Sequence, residues 1–331
     1  MKNIKQRIKS AVILLAILIP FLLIVYFGKI AGKVIGVSFY AIITTWAVYE
    51  VLSHSVLKKW QNVLIAILSS VIWMMPFDWY QIPVNTANIP NQEDSSSFLY
   101  LANHTGISIT EVAIQIKKAI FFSTDTLTNF RALQISIIII FISLIYLINL
   151  FVLKKPIKQK MISYFIAIFA TWFIPLSFKT LFIYNASSLY FLFAIIIIPV
   201  VTDSFAYFGG SLLGKKLIKV GFAPKISPKK SWEGVFIGFL FGALFVFITM
   251  YLGHLTNNQK FVIFKNWKQL LAGIFLLPTV SIIGDLAFSG IKRLYEIKDF
   301  SNLIPGHGGY MDRFDSTSFV VLMTSAILFI N

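Results

Sequence analysis

Asp312 and Asp315 stand three residues apart in "GGYMDRFDS", near the end of a chain that is 57% hydrophobic and only 13% charged. On a helix that spacing puts both carboxylates on one face. Two carboxylates held close repel each other unless something cationic lies between them. Arg313 points elsewhere on such a helix, so a hard, oxygen-binding cation is the better partner. Mg²⁺ fits, since it takes one or two carboxylates plus phosphate oxygens. Acids that merely suit a helix dipole would explain one aspartate better than several. A third acid, Asp285 in "SIIGDLAFSG", lies inside an apolar run. There an unpartnered carboxylate costs about 3 kcal/mol or more, so a functional role is the default. The plainer alternative is an ion pair with Lys292 or Arg293, one helix face along. Ser289 shares the face of Asp285 at i+4.

A phosphate chemistry is suggested by what lies between these acids. "IPGHGG", residues 304–309, makes a sharp turn with exposed backbone amides, and such turns approach anions closely. His307 could donate to a phosphate, act as acid or base, or only stabilise the turn; Gly308 and Gly309 flank it. With Lys292, Arg293, Lys298 and Arg313 nearby in sequence, an anionic phosphate substrate is favoured. A second charged stretch, residues 202–233, holds Asp203 and then "SPKKSWEG". There Ser227, Lys229, Lys230, Ser231 and Glu233 precede an apolar run. Ser231 could cap the following helix, whose N-terminus would add positive potential. The lysines alone are equally expected of a cytoplasmic loop. "GGSLLGKK" imitates a P-loop, but Lys216 stands where the Ser or Thr belongs and no strand precedes it.

The elements that must position these residues are membrane helices. A mean hydropathy of +0.81 leaves too little polar surface for a water-soluble domain, which is usually about a quarter charged. About 20 apolar residues cross a bilayer, and candidate spans fall near 11–28, 31–53, 60–77, 132–153, 161–184, 188–209, 233–253, 269–291 and 317–330. The expected fold is all-α, a polytopic membrane protein of about nine transmembrane helices. The last apolar run is short, so its helix must start within the charged segment or end short of the far face. The first run, after "MKNIKQRIKS", reads as a retained helix, being long for a signal peptide and lacking a small-residue cleavage site. With the N-terminus cytoplasmic, most of the 29 basic residues fall on the inner side; Lys260, Lys265 and Lys268 dissent. Topology therefore accounts for the +16 net charge, and no nucleic-acid partner is required. The chain has no cysteine, which excludes disulfides and thiolate chemistry. Two regions follow: residues 1–199, N-terminal transmembrane helices with an outer polar segment at about 78–131, and residues 200–331, a C-terminal catalytic region. Residues 107–122 could form an interfacial helix.

The spacing of Ser289, Lys292-Arg293, Lys298-Asp299, His307-Gly308-Gly309 and Asp312-Arg313-Phe314-Asp315 resembles the signature of phosphatidate cytidylyltransferases, also called CDP-diacylglycerol synthases. "SPKKSWEG" is similar to that family's upstream S-P-K-K-T-x-E-G stretch, with Ser231 where threonine is usual. Tyr310 stands where an aliphatic residue or Phe is common. The motif-bearing likeness covers about 200–316. It implies that CTP and phosphatidic acid react to CDP-diacylglycerol and pyrophosphate at a bacterial cell membrane, on the cytoplasmic side. It implies Asp285, Asp312 and Asp315 as holders of Mg²⁺, with a second cation as an option. Lys292, Arg293 and Arg313 would bind phosphoryl oxygens, and His307 would pack against a phosphate with Gly308 and Gly309. Asp203, Ser227, Lys229, Lys230, Ser231 and Glu233 would serve the nucleotide, with Ser289 and Lys298 beside them, and a homodimer is expected. Alternatives are a sister enzyme acting on an archaeol-type lipid or a CTP-dependent polyprenol kinase. A cation transporter fits poorly, because the charges cluster late in the chain rather than on paired halves.

Overall fold

The computed structural model of the protein describes residues 2–74, 128–152, 154–256, 258, 261–303 and 308–330. Among these residues it is helical but for one small hairpin. The helices are α1 (Lys2–Phe27), α2 (Lys29–Leu52), α3 (Lys59–Met74), α4 (Thr128–Val152), α5 (Ile157–Ser187), α6 (Leu189–Leu212), α7 (Trp232–Leu255), α8 (Trp267–Leu294) and α9 (Met311–Ile327). Strands β1 (Gly221–Ala223) and β2 (Ser227–Ser231) pair antiparallel between α6 and α7.

Each expected span corresponds to one of these helices. Among the described residues six segments are long and apolar enough to cross a membrane: Lys29–Leu52, Ile135–Val152, Ile157–Ser187, Leu189–Leu212, Trp232–Leu255 and Trp267–Leu294. Ala16–Phe27 forms a shorter apolar helix. This is a multi-pass membrane protein. The last helix starts within the charged segment, at Met311. Most of the expected outer segment, with the 107–122 helix, lies outside the described residues; its final residues, from Thr128, already belong to α4.

The chain divides into two compact units, Met1–Ser187 with Phe300–Met311, and Ser188–Asp299 with Asp312–Asn331. The first is built on α2, which packs against α1, α3 and α5. Its buried face recurs at helical spacing through Gly36, Tyr40, Thr44, Ala47 and Val51, as an amphipathic helix requires. Lys33, fully buried, donates from Nζ to the carbonyls of Val25 (2.7 Å) and Tyr26 (2.9 Å). It thereby satisfies carbonyls that the end of α1 leaves unpaired.

In the second unit α7 lies against both α6 and α8. Gly234, Gly238 and Gly242 recur every four residues along α7 and face α6. A Cβ at Gly234 would stand 2.7 Å from the Ala206 carbonyl oxygen, and one at Gly238 2.6 Å from that of Thr202. Side chains there would force the helices apart; small residues let membrane helices pack backbone to backbone. α8 meets α9 where Gly284 faces Phe319, and Phe288 packs edge-on against the same ring at 6.3 Å. At the other end of α8, Gln269 donates to the carbonyls of Leu328 and Ile330, just past α9.

Candidate active site

In the second unit one cavity of about 470 Å³ is lined by a cluster of acids and bases. α6 supplies Asp203 to its wall, and β2 with the start of α7 supplies Lys229, Lys230 and Ser231. α8 contributes Asp285 and Lys292, and α9 contributes Asp312, Arg313 and Asp315. These residues span more than a hundred positions in sequence. The glycine contact of α6 with α7 and the α8–α9 packing bring them together.

Local chemistry explains how several are held. Ser231 caps α7, accepting from the Gly234 amide at 3.2 Å, as the sequence suggests. Glu233 faces backwards: its carboxylate accepts the amides of Lys215 (3.1 Å), Leu217 (2.9 Å) and Ile218 (2.8 Å). That holds Lys215 in a left-handed conformation, φ 63°, and fixes the turn leading to the hairpin. Arg293 donates to the carbonyls of Ile226 (3.2 Å) and Ile297 (3.0 Å), fastening the hairpin turn to the end of α8. Ser227 pairs with Ala223 inside the hairpin.

Asp285 pairs with neither Lys292 nor Arg293. Lys230 reaches its Oδ2 from the hairpin at 2.5 Å, and Ser289 donates to its Oδ1 at 3.2 Å. Lys292 donates instead to Asp312 Oδ1 at 2.7 Å, with only 10% and 2% of the two side chains exposed. Asp315 accepts the Ser316 amide at 2.7 Å. Asp203, Asp285 and Asp315 share the wall of the cavity, where carboxylates disfavour one another's charge unless a cation lies between them. Its wall carries five acids against four bases, Asp299 being the fifth acid.

Among the described residues, no three His, Asp or Glu side chains are grouped to hold a metal ion by themselves. The donor set nevertheless suits Mg²⁺, which binds through one or two carboxylates, keeps waters and completes its shell with phosphate oxygens. Asp285, Asp312 and Asp315 face a common space in which such a shell could form.

Other expected residues lie elsewhere. Lys298 is exposed in the turn after α8, and His307 lies outside the described residues. Gly308 (φ 87°) and Gly309 belong to the first unit, where Gly309 abuts the Glu50 carboxylate. Tyr310 is beside them, its ring stacked on Phe178 at 5.9 Å. Burial, then Tyr40 and Glu50, raises its phenol well above the ordinary value, so it stays protonated. Asp299, which the signature spacing includes without a role, also lines the cavity, as do Tyr207 and Ser211, which the sequence does not single out. Asp299 is adjacent to a lysine already singled out, whereas Tyr207 and Ser211 carry no spacing signal in a membrane helix.

The model of the cytidylyltransferase family matches residues 102–331, which contain the whole cavity and begin well upstream of the motif-bearing stretch. A phosphatidate cytidylyltransferase of Haemophilus influenzae is 38% identical over 141 residues, 43% of this chain and 46% of that protein. One of Aquifex aeolicus is 42% identical over 132 residues, 40% and 44% of the two chains. One of Staphylococcus aureus is 39% identical over 140 residues, 42% and 48%. The chain spans about half the length of the curated relatives it matches. Since the matched region takes in well over half of the chain and every charged residue of the cavity, the chain belongs to the cytidylyltransferase family.

Proposed function

We propose that this protein transfers the cytidylyl group of CTP to phosphatidic acid, giving CDP-diacylglycerol and pyrophosphate. The observation that carries this reading is the cavity itself. Five acids and four bases from α6, β2, α8, the turn after α8 and α9 converge in it, inside the region shared with proteins named phosphatidate cytidylyltransferase. A phosphate oxygen of the lipid attacks the α-phosphorus of CTP, and the bond from that phosphorus to the bridging oxygen breaks, releasing pyrophosphate. Both reactants are strongly anionic, so the protein's task is charge neutralisation and in-line alignment.

Mg²⁺, bound through carboxylates among Asp285, Asp312 and Asp315, would neutralise phosphoryl oxygens and orient them; a second cation would extend this. Lys230 and Lys292 already face these carboxylates, and Lys229 and Arg313 stand on the same wall. As substrate phosphates arrive, these cations bind them and hold them apart from the acids. The lipid phosphate is already ionised near neutral pH, so no general base is needed. The distribution of lysines supports a cavity on the cytoplasmic side.

The test uses the full chain purified in detergent, phosphatidic acid, Mg²⁺ and CTP labelled at either the α- or the γ-phosphate. The expected result is α-label in the lipid, pyrophosphate released one for one, and loss of both with EDTA. Label entering the lipid only from the γ-position would replace this reading with a CTP-dependent lipid kinase. No label in the lipid from either position would overturn it.

A further inference from the structure

Glu50 lies near the end of α2, 2% exposed, far in sequence from the charged segments that line the cavity. An acid so buried must be well paired to persist. Its partners all come from the segment that leads into α9. Oε1 accepts the Tyr310 amide at 3.0 Å and the Ser301 hydroxyl in a short hydrogen bond. Oε2 accepts the Met311 amide at 2.6 Å. One helical turn on, His54 Nε2 meets the Phe300 carbonyl at 2.7 Å. The end of α2 and the turn after it therefore grip both ends of the 300–311 segment, and a single carboxylate oxygen bonds to each end.

Two further features fit this clamp. Met311 is the first residue of α9, where backbone amides lack partners within the helix. Glu50 takes the place of an N-cap and sets a negative charge where the helix dipole favours one. Gly309 leaves room for it, since a Cβ there would stand 2.6 Å from Glu50 Cδ. A glycine that the sequence suggests as a phosphate contact thus has a second duty, admitting the carboxylate.

We infer that Glu50 is a positioning residue for the cytidylyl-transfer site: it holds the first residue of α9, the helix whose first two turns carry Asp312 and Asp315. It touches no substrate. The consequence for turnover rests on the function proposed above, whereas the clamp itself does not.

The test compares Glu50→Gln with the wild-type full chain in detergent, by amide hydrogen exchange and by turnover. Glutamine keeps the size but presents an NH2 group where backbone donors converge. Exchange in peptides covering 300–311 should quicken by about tenfold or more, because charge-assisted hydrogen bonds are lost. Exchange in α7 should be unchanged. The kcat for CTP should fall by about tenfold or more, while KM for phosphatidic acid stays within about twofold, the pattern of misplaced reacting groups. Gly309→Ala should show the same two effects, and serves if Glu50→Gln fails to insert. Unchanged exchange over 300–311 would overturn the clamp, and quickened exchange with full turnover would overturn the positioning role. A wild-type chain that makes no CDP-lipid would sink the proposed reaction, while the exchange data would still decide the clamp.

Discussion

At the scale of single residues, the pairings in the cavity make separable claims about stability and catalysis. Lys292 and Asp312 form a buried pair. Removing one partner from such a pair leaves an uncompensated charge and costs about 3–5 kcal/mol. Lys292→Ala should therefore lower the melting temperature in detergent markedly. Combining Lys292→Met with Asp312→Asn should restore most of that loss without restoring turnover. If the double variant is active, neither residue belongs to the site. Asp285 is half-buried and reached by Lys230, so Asp285→Asn should stay folded, with turnover reduced by about 100-fold or more. Near-normal cytidylyl transfer by that variant would remove Asp285 from the proposed metal-binding set. The types of these residues were legible in the sequence, because charge inside an apolar chain is costly and so conspicuous. Their partners were not. Lys230 meets Asp285 from 55 positions away, whereas spacing along one helix offers only Lys292 or Arg293 as an alternative partner. Glu50 is conspicuous by the same rule, an acid inside an apolar run, but its role depends on long-range donors that spacing does not reveal.

The elements were far easier to read than their contacts. Hydropathy sets helix length through bilayer thickness, and α2, α5, α6, α7 and α8 each lie within a few residues of the expected spans. The hairpin was not anticipated, because "GFAPKISPKKS" shows no period-two alternation. Its few residues are held by Arg293 at the turn and lead directly into the capped start of α7. The glycines of α7 also went unread as a stripe, though their four-residue recurrence was available in "GVFIGFLFG". They govern how near Asp203 on α6 can come to the β2 lysines. Gly238→Val tests this at the scale it concerns. The added side chain meets the Thr202 carbonyl and Ala206, and overpacking of this kind costs about 1–3 kcal/mol. The melting temperature should fall, with turnover reduced more than that loss of folded protein explains. Unimpaired activity would mean that the separation of α6 and α7 has no bearing on the reaction.

For the whole molecule, the decisive quantity is which face of the membrane each loop meets. Most basic residues lie in segments that a cytoplasmic N-terminus would place inside, yet Lys265 and Lys268 fall at the other end of α7. That helix has 24 residues, and at 1.5 Å each these span about 36 Å, enough to cross the hydrocarbon core. The loops before and after it must then face opposite compartments, so only one of two basic clusters can obey the rule. Lys215, Lys216, Lys219, Lys225 and Lys229, all exposed before α7, outweigh Lys265 and Lys268 after it. The chain contains no cysteine, so single cysteines can report on this without a prior deletion. Lys219→Cys and Lys265→Cys should both fold, each replacing an exposed residue. In right-side-out vesicles a membrane-impermeant thiol reagent should label only the cysteine at 265, and in inverted vesicles only the one at 219. The reverse pattern would put the charged cavity on the outer face, away from cytoplasmic CTP. A nucleotide-consuming reaction could not run there, so inverted labelling would count against the proposed function as well as the topology.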